Sequence, residues 1–263
     1  MFTLGLALAL FLGRPTATAA ATPTAGALEP GRSDPRAVEL LRRVDDLWRG
    51  DGSHTVMTMR VKTSHYERTL KLEAWTQGKA KTLVEILAPA KDAGTMTLKN
   101  GEAIYTYLPR TDRTIKLNAG MMGGSWMGSH FTNDDLVKDS RLSDDYISRI
   151  SFEGPRGGRD VIEMTLMPKA TAAVVWGRIV VAIDAKTLMP LRSVYDDEDL
   201  KPARTMTFGE IKDFGGRMAP ASLRLTPADL PGEYTELTYQ SMAFDPALGP
   251  DTFSLARLKR RGP

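Results

Sequence analysis

The sequence predicts a mainly β protein (α+β), an incomplete, strongly curved antiparallel β-barrel of about eleven strands with helices covering the concave face. Three observations predict it. From Thr55 onward, apolar residues recur at every second position in one segment after another, the pattern of strands with one face buried. Short connections marked by Gly, Pro, Asn or Asp join these segments, as antiparallel neighbours require. So many twisted strands in one sheet must curl, and an amphipathic helix ahead of them offers an apolar face to cover the result.

The elements follow in order. Phe2 to Leu12 is an apolar run too short to span a bilayer, with no Lys or Arg before it, and Ala17-Thr18-Ala19 is a small-x-small cleavage pattern. Residues 1–20 therefore read as an export signal and 21–32 as a flexible Pro/Ala/Gly linker. With no Cys after the apolar run, a lipid-anchored form is not expected, nor is a transmembrane segment in the mature chain. Ser33 or Asp34 can cap a helix that has Pro35 in its first turn and Gly50 at its end. Val38, Leu41, Val44 and Trp48, flanked by Leu40 and Leu47, share one face of it.

Alternating segments follow at Met57–Val61, Leu70–Leu72, Ala80–Ile86, Ile104–Leu108 and Arg113–Leu117. Thr132 or Asn133 can cap a short helix over Asp134–Lys138. Alternation resumes at Tyr146–Glu153, Asp160–Met167, Val174–Asp184, Leu191–Asp196, Arg204–Phe214, Ala219–Thr226 and Tyr234–Met242, with a hairpin turn at Asp184–Thr187. Residues 33–258 are read as a single domain, and 259–263 as a basic tail that extends a frayed cluster beginning at Arg257.

Composition excludes several functions. The chain has no Cys, which removes disulfides, thiolate metal sites and Cys nucleophiles. Without residues 1–20, which hold one basic residue (Arg14) of the 35 and none of the 32 acidic ones, the balance is 34 against 32. Scattered charge of that kind is no nucleic-acid footprint. His54, His65 and His130 stand far apart, outside any metal-binding spacing. Gly124-Ser125-Trp126 lacks the second glycine of a nucleophile elbow, because Met127 stands there. The runs Asp144-Asp145 and Asp196–Asp199 lack the calcium-loop pattern. No enzyme, metal or cofactor is expected. The reading is a binding protein.

Leu98 to Leu136 is the most informative stretch. The hairpin Ile104–Leu117 breaks into a glycine-rich segment carrying Met121, Met122, Trp126 and Met127. Methionine is flexible and polarizable, so such a loop can mould itself to an irregular apolar partner. That partner could be the interior of the protein, a lipid or another protein. Around this stretch the residues resemble a known family. Tyr105-Thr106-Tyr107-Leu108-Pro109, Arg113, and Met122-Gly123-Gly124-Ser125-Trp126-Met127-Gly128-Ser129-His130-Phe131-Thr132-Asn133-Asp134-Asp135-Leu136 are similar to the outer-membrane lipoprotein-sorting protein family. That family is related in fold to the periplasmic carrier LolA and its receptor LolB. Phe208–Gly216 with Pro220, Thr235-Glu236-Leu237, Phe244-Asp245 and Asp251-Thr252-Phe253-Ser254 extend the resemblance, which spans about residues 35–258. His130 departs from it, since many relatives carry an acidic residue there.

The resemblance implies a half-barrel whose concave side holds acyl chains or similar lipophiles. It also implies a periplasmic location in a Gram-negative bacterium, a part in outer-membrane biogenesis, and partnership with an inner-membrane exporter of ABC or resistance-nodulation-division type. A monomer is expected. Candidate cavity-lining residues are Met57, Met59, Leu70, Leu72, Trp75, Met96, Leu98, Tyr105 and Tyr107. Met121, Met122, Trp126, Met127 and Phe131 would form a lid or an exporter-docking surface. Arg110 and Arg113 are candidate contacts for a lipid headgroup. A transporter-docking protein that carries nothing, and a lipid hydrolase using Ser125 or Ser129, remain as alternatives.

Overall fold

The computed structural model describes residues 31–49, 51–78, 80–133, 135, 142–172 and 174–259. The signal and most of the linker therefore lie outside the described residues, as do most of the Asp134–Lys138 helix and the tail beyond Lys259. After α1 (Pro35–Arg49) come β1 (Gly52–Lys62), β2 (Glu67–Gln77), β3 (Lys81–Ala88), β4 (Met96–Asn100), β5 (Ala103–Leu108) and β6 (Arg113–Lys116). A second set follows α2 (Leu142–Asp145): β7 (Tyr146–Arg156), β8 (Arg159–Pro168), β9 (Arg178–Asp184), β10 (Pro190–Asp196), β11 (Pro202–Asp213), β12 (Met218–Pro227) and β13 (Tyr234–Phe244). A last helix, α3, spans Leu255–Lys259.

All the strands join one antiparallel sheet in the order β6-β5-β4-β3-β2-β1-β13-β12-β11-β10-β9-β8-β7. Two meanders therefore meet in the middle, where β1 pairs with β13 in a register that sets Met59 opposite Leu237. The edges β6 and β7 do not pair with each other, so the barrel stays open. The connection between them leaves the sheet at one edge and re-enters at the other. That topology explains why its central part, which sequence alone leaves as an odd apolar loop, packs against the sheet.

Strand parity assigns the faces, because successive side chains point to opposite sides. On one face Met57, Met59, Val61, Leu70, Leu72, Val84 and Ile86 form a buried cluster with Met206 and Leu225. Ile162, Met164, Leu166, Ile179, Val181 and Ile183 continue this face and are covered by Ala37, Leu40, Leu41 and Val44 of α1. Of the α1 face expected from helical spacing, Leu41 and Val44 pack together with the flanking Leu40; Ala37 joins them, Val38 is half-buried, and the side chains of Leu47 and Trp48 lie outside those described. Arg36 begins the helix with its N–H on Asp34 Oδ1 (2.8 Å), and Asp34 also extends the β7 edge through a backbone bond to Ser148.

The opposite face carries a smaller cluster of Leu83, Met96, Leu98 and Tyr107 beneath Phe253 and Leu258. Arg257 and Leu258, where a frayed cluster is expected to begin, are packed. Leu258 of α3 is fully buried, and Arg257 reaches Glu85 (3.5 Å) and lies over the Trp75 ring. A second correction concerns β4, which sequence reading overlooks. Met96, Thr97, Leu98 and Lys99 alternate apolar with polar over only four residues, and Thr97 and Lys99 are buried along with Met96 and Leu98. The predicted strand at Val174 begins only at Arg178, which frees Trp176 from the sheet.

Candidate functional site

Side chains from both meanders converge on a cavity of about 520 Å3 on the inner face, within the ~300–1,000 Å3 of small-molecule sites. Its floor is apolar: Met57, Leu72 and Val84 come from one meander, and Met206, Leu223 and Leu237 from the other. Trp126 and Phe131 close it from the crossing connection, Tyr146 and Ile179 from the far strands, and Trp176 from the loop between β8 and β9.

The crossing connection is tied down at several points. Trp126 N–H bonds Phe131 O (2.8 Å) and Asn133 N–H bonds Gly124 O (2.9 Å), so residues 124–133 form a small hairpin. Met127 and Gly128 both take left-handed backbone, with φ of 52° and 65°. At Gly128 a Cβ would come 3.2 Å from the Tyr66 hydroxyl oxygen, and that hydroxyl donates to the Gly128 carbonyl, so glycine is required there. Trp126 Nε1–H donates to Thr97 Oγ1 (3.1 Å), anchoring the indole to β4. His130 donates its backbone N–H to Thr235 Oγ1 (3.0 Å), and its Nε2 lies 3.1 Å from Glu233. The Ser64 amide, then His130, hold the Glu233 carboxyl down to about 2. Ser125 and Ser129 hydroxyls donate to the Ser129 and Trp126 carbonyls of the same hairpin.

Polar groups gather at one end of the cavity. Arg204 on β11 makes a bidentate pair with Asp135, Nη1 to Oδ2 at 2.8 Å and Nη2 to Oδ1 at 2.6 Å. The rings of Trp176 and Tyr195 lie 4.3 and 4.7 Å from its guanidinium carbon. Thr132 closes a local cap on the same carboxylate with both its N–H and its hydroxyl. Burial pushes the Asp135 carboxyl up, but the hydrogen bonds and charge of Arg204, with Thr132, outweigh it and leave it below the usual range. Burial alone raises the Tyr239 phenol to about 12, and it dominates at Tyr195 as well.

A family model described as an uncharacterized protein matches residues 78–260, more than half of the chain. The chain belongs to this family. No curated protein sequence matches it. Three solved structures are similar. A DUF1329 family protein from Desulfovibrio piger has a TM-score of 0.77 at 19% identity, covering 85% of this chain and 98% of that one. An outer membrane lipoprotein-sorting protein domain from Vibrio parahaemolyticus gives 0.74 at 22%, covering 86% and 99%. A LolA superfamily protein from Nitrosomonas europaea gives 0.70 at 17%, covering 84% and 98%. The fold is LolA-like, as the motif resemblance implies.

Among the residues singled out from sequence, Met57, Leu72, Trp126 and Phe131 line the cavity of this family member. Met59 and Leu70 are fully buried beside it in the same inner cluster. Trp75, Met96, Leu98, Tyr105 and Tyr107 belong to the outer cluster instead. Parity already separates them: Leu72 and Trp75 are an odd number of positions apart on one strand, so they cannot share a face. In the connection, Trp126 and Phe131 are buried, Met127 and Met122 are half-buried, and Met121 is 40% exposed. Arg110 and Arg113 are exposed at the β5–β6 edge, away from the cavity lining.

Sequence reasoning missed the polar end of the site. Arg204, Tyr195 and Trp176 looked like ordinary members of alternating strands. Asp135 did carry a signal, the D-L step that closes the family motif.

Proposed function

We propose that this protein is a periplasmic carrier that shelters an acyl chain of a lipid or lipoprotein in its inner cavity and receives or delivers it at an inner-membrane exporter. The cavity itself carries the reading. Burying one methylene is worth about 0.8 kcal/mol, so a long acyl chain gains on the order of 10 kcal/mol gross on leaving water. A protein moving such a chain through water must offer comparable apolar enclosure. The inner cluster on both meanders supplies it, with Trp126 and Phe131 as the cover. The LolA-like fold agrees with a carrier, and among the described residues no helix is long and apolar enough to cross a membrane.

The test is native mass spectrometry of gently extracted protein, with uptake of a fluorescent acyl lipid as a second measure. Copurified lipid and saturable uptake support the carrier. Lipid-free protein that takes up no probe overturns it. A second reading has its own observation: Met121 is exposed near the equally exposed Arg110 and Arg113 along the chain, a combination suited to docking on a transporter. Under that reading alone, Met121→Ser abolishes transporter capture and the protein never takes up lipid.

A further inference from the structure

We infer that the cavity selects acyl chains bearing a neutral carbonyl, an ester or an amide, over free fatty-acid anions, and that Arg204 is the residue that reads the carbonyl. This rests on the carrier reading and adds the chemistry of the ligand's polar end.

The guanidinium of Arg204 has two donor edges. Asp135 occupies the one formed by Nη1 and Nη2. The other edge contains Nε–H, which is buried with no acceptor among the described residues. Arg204 as a whole is 6% exposed, and it lines the cavity. A buried donor left without a partner is costly, far more so than an ordinary hydrogen bond is favourable. Trp176 and Tyr195 cover the guanidinium, so an acceptor must come in at its edge rather than onto a face. Arg204 belongs to the cavity lining, so the cavity is the side from which an acceptor would approach that edge.

The choice between a neutral acceptor and an anion follows from charge. A lone buried arginine would favour a carboxylate. Here Asp135 already cancels it, and Asp145 adds a further carboxylate to the cavity lining. Bringing in a fatty-acid carboxylate would place like charges together in a partly desolvated space. A carbonyl oxygen accepts the same Nε–H with no net charge.

The experiment follows the intrinsic fluorescence of Trp126 and Trp176 in the full-length chain during titration, at neutral pH, with methyl laurate and with laurate. The ester is expected to bind about tenfold more tightly, because both ligands can accept from Nε–H and only laurate meets the repulsion. Asp145→Asn is expected to raise laurate affinity and leave the ester unchanged. Arg204→Lys keeps the charge without the second donor edge and is expected to weaken ester binding about tenfold, the worth of one hydrogen bond. Equal or tighter binding of laurate by the unmodified protein overturns the inference, as does an Asp145→Asn variant with unchanged laurate affinity. If neither compound binds and no other acyl lipid does, the carrier reading itself fails, a result distinct from loss of selectivity alone.

Discussion

Replacing Asp135 with Asn tests the polar end of the cavity most directly. The carboxylate accepts two hydrogen bonds from Arg204 and two from Thr132, and both charged side chains are largely buried. Asn keeps the size, removes the charge and turns an NH2 toward the guanidinium donors. Removing one partner of a buried pair costs about 3–5 kcal/mol, because the other charge is stranded. Taking the lower figure and an m-value of about 3 kcal/mol/M in urea, the unfolding midpoint should fall by about 1 M. Tryptophan fluorescence during urea titration measures it. The sign of the pH dependence is also set. The folded-state carboxyl lies below its ordinary value, so its stabilisation is present above the unfolded value of about 3.9 and lost as pH falls through the folded one. The variant and the parent should therefore converge in acid. The double change Asp135→Asn with Arg204→Met removes the stranded charge and should recover most of the loss. A single variant within about 0.5 kcal/mol of the parent, or a double variant no better than the single one, would refute the reasoning.

Other perturbations separate the two faces and the tether. Trp126→Ala removes a buried indole and its bond to Thr97; it should cost about 3–5 kcal/mol by urea titration. Leu98→Ala should cost about 2–5 kcal/mol and leave acyl-lipid uptake unchanged, since Leu98 belongs to the outer cluster. Met57→Trp, by contrast, adds bulk on the cavity floor and should reduce uptake in the same fluorescence assay. Glu233→Gln should flatten the acid limb of a melting-temperature profile between about pH 4 and 2, because the native carboxyl titrates near 2 and its stabilisation is present only above the unfolded range.

Much of the fold was legible because strand signals are local. The period-two pattern in β1, β2, β8 and β11 follows from one wet and one covered face, and α1 shows part of its packing face in Leu40, Leu41 and Val44. β4 escaped because its alternation, Met96 to Lys99, spans only four residues; the structure covers both its faces, one by the crossing connection through Trp126 on Thr97 and the other by α3. Within the site, large apolar residues such as Met57, Leu72, Trp126 and Phe131 stand out in sequence. Arg204 does not, since it becomes informative only when its partner 69 positions away is known, and Asp135 shows only as the D-L step of the family motif.

By itself the sequence determined the β class, the helix that covers one half, the family motif and the alternation of most strands, all properties of neighbours along the chain. Only the tertiary structure decided which parity faces inward, because curvature depends on β1 meeting β13 at the centre of the sheet. It also decided that the methionine-rich connection runs from one edge of an open barrel to the other. That crossing brings Asp135 to Arg204 and lays Trp126 over the inner cluster, contacts that rest on long-range pairing and that no local pattern encodes.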